Sequence, residues 1–190
     1  ISALKQNFLL LVNWWMDQNP LHRTLCPGLF TSRLNNRGFC RDEIGDQIGV
    51  IRTLGADGEI HFSAQALMKD YGNIDDLLIG KAGIYEDQAL IPPSPWLDDS
   101  RPARPIAQGH RNPTNDAVTA SWKSASNTPV WQWAVQTRSG NTWTLHLYPA
   151  SVNRATFEKK PKTLPISAVA VRAVDRCGIA SLPIVIQTNE

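Results

Sequence analysis

The chain has 190 residues, 42% of them hydrophobic and 19% charged, an ordinary globular composition with room for one domain or two small ones. Its formal net charge is +2 and its basic residues are dispersed, so the concentrated positive face that nucleic acid requires is missing and that partner is set aside. The strongest apolar run, Phe8 to Trp15, is broken by Asn13 and falls short of the roughly 20 residues needed to cross a bilayer. No membrane span is expected, and no export signal is recognisable in the sequence as it stands.

Leu4, Phe8, Leu11 and Trp15 recur at spacings of three and four, which predicts an amphipathic helix over residues 3–18 that Pro20 ends. Leu21 to Phe30 reads as a strand with a turn at Pro27-Gly28. A second helix is expected from Asp42 through Leu54, with Ile44, Ile48 and Ile51 on one face, acidic residues at its start and Gly55 as its stop. After the turn at Asp57-Gly58, Glu59 to Ser63 is short and β-prone, as suits a strand between helices. Residues 64–80 return to helical spacing with an interruption at Gly72. The alternation of helix and strand predicts parallel strands joined by right-handed crossovers.

Prolines punctuate the next stretch, Ile91-Pro92-Pro93-Ser94-Pro95-Trp96 and Arg101-Pro102-Ala103-Arg104-Pro105, which can neither continue a helix nor fill a central strand. Beyond it the period changes to two. Val118 to Trp122, Val130 to Gln136, Thr142 to Tyr148 and Ile166 to Ala173 are expected strands, with a hairpin at Ser139-Gly140-Asn141 and Trp122 facing inward. Val169, Val171 and Ala173 should share one face, opposite Ala168, Ala170 and Arg172. The fold class is therefore α/β followed by all-β. Residues 1–98 form the first part, 99–112 a proline-rich linker and 113–190 a sandwich.

Cys26, Cys40 and Cys177 cannot all pair within one chain and none lies in a C-x-x-C arrangement. They read as buried or incidental thiols, a Cys26 to Cys40 bridge in an oxidising compartment being the alternative.

Ala173-Val174-Asp175 followed by Gly178-Ile179-Ala180-Ser181, together with the inward Trp122, resembles the strands of a fibronectin type III module. In the first half, Leu11-Val12-Asn13-Trp14-Trp15, Leu25-Cys26-Pro27-Gly28-Leu29-Phe30, Glu43-Ile44 with Gln47-Ile48, Gly58-Glu59-Ile60-His61-Phe62-Ser63, and Tyr85 with Ala89-Leu90, Pro92 and Pro95-Trp96-Leu97 follow one another in a telling order. That order resembles the end of the catalytic barrel in the glycosyl-hydrolase-like family ten, which includes a divisome-localised enterobacterial lipoprotein acting on peptidoglycan glycan strands.

The resemblance implies that residues 1–98 supply the last strand-helix units of a (β/α)8 barrel, and that the sheet is completed by the remainder of the barrel or by a second chain. It implies a cell-wall glycan as substrate, and a periplasmic or outer-membrane-anchored location through an upstream signal. Glycoside hydrolysis needs two carboxyl groups about 5 to 9.5 Å apart, depending on mechanism. On this reading they belong to earlier strands, so the isolated chain is expected to be inactive. No cofactor and no metal are expected.

Barrel enzymes bind substrate at the carboxyl ends of their strands. Pro27, Gly28 and Phe30 after one strand, with His61 and Ser63 on the other, are thus the candidate substrate-binding residues. His61 and Ser63 share strand parity and are expected to point together at a sugar, with Ile60 and Phe62 facing the other way. A hydrogen-bonded histidine of the barrel wall is the plainer reading of His61.

Trp14 and Trp15 are expected to pack against neighbouring helices or the second domain. Trp131, Trp133 and Trp143 are candidates for an aromatic strip on a carbohydrate- or protein-binding accessory module, a non-catalytic alternative in which the first half is support; interior packing is the plainer reading. The neighbouring carboxylates Asp75-Asp76, Glu86-Asp87 and Asp98-Asp99 read as solvated surface. No serine-hydrolase, zinc-peptidase, phosphate-loop or dinucleotide pattern occurs.

Overall fold

In the computed structural model, which describes residues 7–35, 39–159 and 163–188, the chain forms two units, residues 1–86 and 87–190. Helix α1 (Phe8–Asp17) starts where the Asn7 carboxamide oxygen accepts from the Leu9 amide at 2.9 Å, satisfying a donor that the first turn leaves unpaired. Its only fully buried residue is Val12, with Phe8 packed beside it against the core. The expected stripe is therefore corrected: Trp14 and Trp15 are exposed and meet each other edge to face at 5.0 Å instead of packing into helices. Leu4 lies outside the described residues.

Helix α2 (Arg41–Leu54) matches its expectation closely. Ile44, Ile48 and Ile51 are buried on one face, Asp42 and Glu43 sit in the first turn, and Gly55 closes the helix at φ 78°, a conformation glycine adopts without a Cβ clash. Helix α3 (Ala64–Met68) and helix α4 (Ile74–Leu78) are separated by a single tight turn, Tyr71–Asn73, where Gly72 takes φ 62°, so the interruption expected at Gly72 is present.

The strands of this unit are much shorter than expected. Strand β1 (Gly28–Leu29) and strand β2 (Ile60–His61) pair in parallel, Gly28 with Ile60 and Leu29 with His61. The segment from Leu21 does not extend because the Asn19 side chain takes both backbone groups of Arg23, accepting from its amide at 2.9 Å and donating to its carbonyl at 2.6 Å. Downstream, the Phe30 carbonyl accepts from Arg33 and the chain turns into a 3-10 segment, Thr31–Asn35. Among the described residues no further strand pairs with β1 or β2.

Side chains alternate across a strand, so this pair has two distinct faces. Leu29 is fully buried in one cluster with Leu34, Ile44, Ile48, Ile51, Ile74 and Leu78, which places α2 and α4 on its side. The opposite face carries Gly28, Phe30, Ile60 and Phe62. The last three are 54%, 60% and 62% exposed.

The second unit is all-β. Strands β3 (Ile106–Arg111), β4 (Val118–Lys123) and β7 (Arg154–Phe157) form one antiparallel sheet. Strands β6 (Thr142–Pro149), β5 (Gln132–Ser139), β8 (Ile166–Val174) and β9 (Ile184–Gln187) form the other, in that spatial order. Val118, Ala120 and Trp122 from the first sheet meet Trp133, Val135, Val169, Val171 and Ala173 from the second in one core. Each core tryptophan has a partner for its indole N–H, Trp122 donating to the Val152 carbonyl and Trp133 to that of Ala150.

Four expected strands are present, with shifted ends, and the Gly140-Asn141 hairpin is as expected, Gly140 at φ 60° between Ser139 and Thr142. Strand β3 falls inside the segment expected as linker, and β7 and β9 are additional. The proline-rich stretch also belongs to the second unit: Ser94 donates to the Cys177 carbonyl at 2.7 Å, and the Gln88 carboxamide oxygen accepts from Leu147 at 2.7 Å, capping part of the free border of β6. The boundary accordingly lies at residues 86 and 87 rather than at 98.

Replacing Ile48 by alanine leaves a void beneath β1 that α2 cannot close. The expected cost is about 3 kcal/mol, read as faster hydrogen exchange of the α2 amides with the β5 and β8 amides unchanged.

Candidate binding site at the strand ends

Both parallel strands end at the same level, and their turns bring Thr31, Ser32, His61 and Ser63 together. The Ile60 amide donates to the Pro27 carbonyl and the Phe62 amide to that of Leu29, and Ser32 returns a bond to the Phe62 carbonyl at 2.9 Å. The Ser32 hydroxyl accepts from the Ser63 amide at 2.9 Å and lies 3.1 Å from the Ser63 hydroxyl. This lattice locks the two turns to each other.

His61 faces the helices. Its Nδ1 is 2.8 Å from the Thr31 hydroxyl and its Nε2 2.9 Å from the Tyr85 hydroxyl. Tyr85 in turn donates to the Glu59 carboxylate. A phenol has one proton, so Tyr85 can only accept from His61, and this assigns the imidazole proton to Nε2. Nδ1 is then the acceptor for the Thr31 hydroxyl, whose oxygen also lies 3.3 Å from the Leu29 carbonyl, the longer of its two contacts. The result is a directed chain, Thr31 to His61 to Tyr85 to Glu59, ending on the one carboxylate in it.

Burial is the main influence on the titration of His61 and Tyr85. It lowers the His61 pKa, and the negative charge of Glu59 opposes the shift only in part. The Tyr85 phenol is pushed far above its usual range by burial, then by its bond to Glu59 and that carboxylate's charge, with Arg52 acting the other way. Tyr85 therefore stays protonated and keeps donating. The nearby Cys26 thiol is also raised, first by burial and then by Asp57 and Glu59, which makes it a poor nucleophile. All three cysteines are free thiols, and the Cys26 to Cys40 bridge is not formed.

The expected orientation is thus reversed. His61 shares the covered face with Leu29 and the buried Thr31, whereas Phe30 and Phe62 stand on the open face with ring centroids 5.6 Å apart. Pro27 and Ser63 are half-buried and Gly28 is exposed. Ser63 interlocks with Ser32 and does not reach His61's partners. Glu59, Tyr85 and Thr31 were not singled out by sequence reasoning. Glu59 lies two residues before His61 and so shares its parity, a signal present in the sequence; Tyr85 stands out there only in the segment resembling the exit from the barrel, with nothing to place it beside His61.

In the second unit the tryptophan strip is not formed. Trp133 is 3% exposed in the core, whereas Trp131 is 51% exposed beneath the Arg176 guanidinium, 4.9 Å from its ring centroid. Trp143 is exposed on β6, with the Arg138 guanidinium 6.0 Å from its ring.

No protein-family profile matches the chain, and no curated protein matches it in sequence. Similar solved structures include an Fn3-like protein from Clostridium thermocellum, 16% identical over 48% of this chain and 97% of that one, with a TM-score of 0.34. The FN5 domain of Drosophila Lar is 17% identical over 47% of this chain and 98% of that one, TM-score 0.32. The Clostridium perfringens spore cortex lytic enzyme SleM is 10% identical over 95% of this chain and 75% of that one, TM-score 0.36. Scores this low carry no argument about fold or activity.

Because the His61 pKa is lowered in the folded chain, the unfolded chain takes up a proton first as pH falls through the usual value of 6.5. Stability contributed by neutral His61 is therefore full above that pH and declines below it until the folded pKa is passed. Denaturant unfolding at a series of pH values should show this decline in the wild type, and His61→Gln should flatten it.

Proposed function

We propose that this chain is the carboxy-terminal part of a glycoside hydrolase acting on bacterial cell-wall glycan strands, and that it lacks the catalytic carboxylate pair. The observation that carries the reading is the parallel pair β1–β2, helix-covered on one face and bare and apolar on the other through Phe30, Ile60 and Phe62. In a closed (β/α) sheet the helices lie outside and the second face points into the barrel, where further strands bring their own side chains to meet it. A lone parallel pair has no such layer, and parallel sheets are ordinarily covered on both faces.

In this reading the remaining strands come from residues outside 1–190 or from a second chain, and Phe30 stands at the carboxyl end of β1, where barrel enzymes hold substrate, whereas Pro27 and Gly28, expected there from the sequence, lie at that strand's start. The exposed Phe30 ring offers an apolar plane to a pyranose. His61 acts from behind the strand wall, holding the Thr31 turn in place rather than touching sugar. The order of the sequence segments that resemble the glycosyl-hydrolase-like family ten supports the same substrate class, and with it a cell-envelope location. No described helix is long and apolar enough to cross a membrane. The second unit, two antiparallel sheets with a shared core, fits a fibronectin III-like accessory domain.

Glu59 is bound to Tyr85, and the hydrogen-bonded chain contains no second carboxylate that could complete an acid and nucleophile or acid and base pair. Residues 1–190 alone should release no reducing ends from purified peptidoglycan glycan strands, assayed by mass spectrometry of the soluble products. Sustained turnover by this chain, abolished by Glu59→Gln, would place the catalytic carboxyl group here and contradict the reading.

A further inference from the structure

Strand β6 reverses the usual polarity of a sandwich strand. Its residues alternate between the two faces, and the register with β5 shows which is which: Tyr148 pairs with Trp133, His146 with Val135 and Thr144 with Thr137, all on the face that carries the core. Trp143, Leu145 and Leu147 therefore point outward, and the hydroxyls and imidazole point inward. An inward row of this kind forgoes the apolar burial that holds two sheets together. Local departures of this sort are expected where a protein keeps a space for a ligand.

Such a space is present. Strands β6 and β7 are the borders of their respective sheets, and between them lies a cleft of about 580 Å³, open to solvent and lined by Thr137, Thr144, His146, Tyr148, Phe157 and Glu158 among others. That volume lies within the range of about 300 to 1,000 Å³ typical of small-molecule sites. One wall is aromatic: the His146 ring lies 5.0 Å from Phe157, and Tyr148 lies 6.5 Å from Phe157 and 5.5 Å from Trp122. The other polar groups are mostly threonine and serine hydroxyls, and Thr137 is 3.1 Å from His146 Nε2.

Ser139 donates to the Leu164 carbonyl and Thr156 bonds to Thr119, so the inward Thr142 and Thr144 of β6 carry the recognition; hydroxyls both donate and accept, and suit a ligand whose own groups do both. Among the described lining residues Glu158 supplies the one formal charge, and it is negative. A neutral, hydroxyl-rich ring with one apolar face fits this combination of hydroxyls and aromatic wall. We propose that the cleft between β6 and β7 binds a saccharide residue. The inference stands on the sandwich alone and does not need the reading of the first unit.

The test is an NMR titration of the 190-residue chain with chitotetraose, and in parallel with maltotetraose, following the ring protons of His146, Tyr148 and Phe30. Shifts at His146 and Tyr148 with either sugar are expected, the pair of sugars separating a cell-wall type of ligand from a glucan. Thr144→Val keeps the shape of the side chain and removes one hydroxyl; it should weaken binding about tenfold while leaving the melting temperature unchanged or raised. Thr142→Val, at the exposed rim, is the second variant if the first fails to fold, with the same weakening expected. Absence of shifts at His146 and Tyr148 with both sugars, or undiminished affinity in the folded variant, overturns the proposal. Shifts confined to Phe30 overturn it as well, while supporting the first unit's strand ends as the glycan site.

Discussion

One-sided burial governs the first unit. The isoleucines of α2 and the apolar residues of α4 close over Leu29, and among the described residues nothing comparable meets the side chains that alternate with it. Once Leu29 is fixed inward, strand geometry puts Thr31 and His61 on the same side and Phe30, Ile60 and Phe62 on the other. The polar chain through His61 is a consequence of that choice, because a histidine under helices must have partners for both nitrogens, and Thr31 and Tyr85 provide them. The exposed phenylalanines are the same consequence seen from the opposite face.

The sandwich solves a different problem. Two sheets must meet over one core, and the large residues that fill it, Trp122 and Trp133, bring indole N–H groups that find carbonyls in the turn after β6. Arg111 ties the far border, donating to the Thr188 carbonyl at 2.8 Å and the Ile166 carbonyl at 2.5 Å while pairing with Asp116. That border is held by charge-assisted bonds, whereas the β6 and β7 border is left open and lined with hydroxyls. The asymmetry between the two borders is what distinguishes the open one as a place for a ligand.

Periodicity made the buried elements legible. Ile44, Ile48 and Ile51 at helical spacing before Gly55 specified α2, and the alternation in β4, β5, β6 and β8 specified the sandwich. Strand β3 was hidden because Ile106 to Arg111 follows a cluster of prolines and carries no alternation of its own; its place comes from pairing with β4. The strand expected from Leu21 failed because local side-chain bonds by Asn19 outcompeted pairing. At the site, His61 was visible as a candidate but its direction was not. Parity states which residues share a face and is silent on which face the helices cover. Tyr85 and Glu59 joined it only through tertiary folding, and Trp14 and Trp15 came out exposed because α1 buries Val12 instead.

On the proposed function, β1–β2 belongs to a wider sheet. In a parallel pair, alternate residues direct their backbone groups to the partner: here Ile60 and Phe62 do so, and His61, Gly28 and Phe30 direct theirs to the outer borders. Residue-resolved hydrogen exchange on the 190-residue chain tests this directly. Slow exchange is expected at Ile60 and Phe62 and fast exchange at Gly28, Phe30 and His61. Protection of those three amides equal to that of Ile48 in α2 would mean that the pair is already enclosed, and would contradict it.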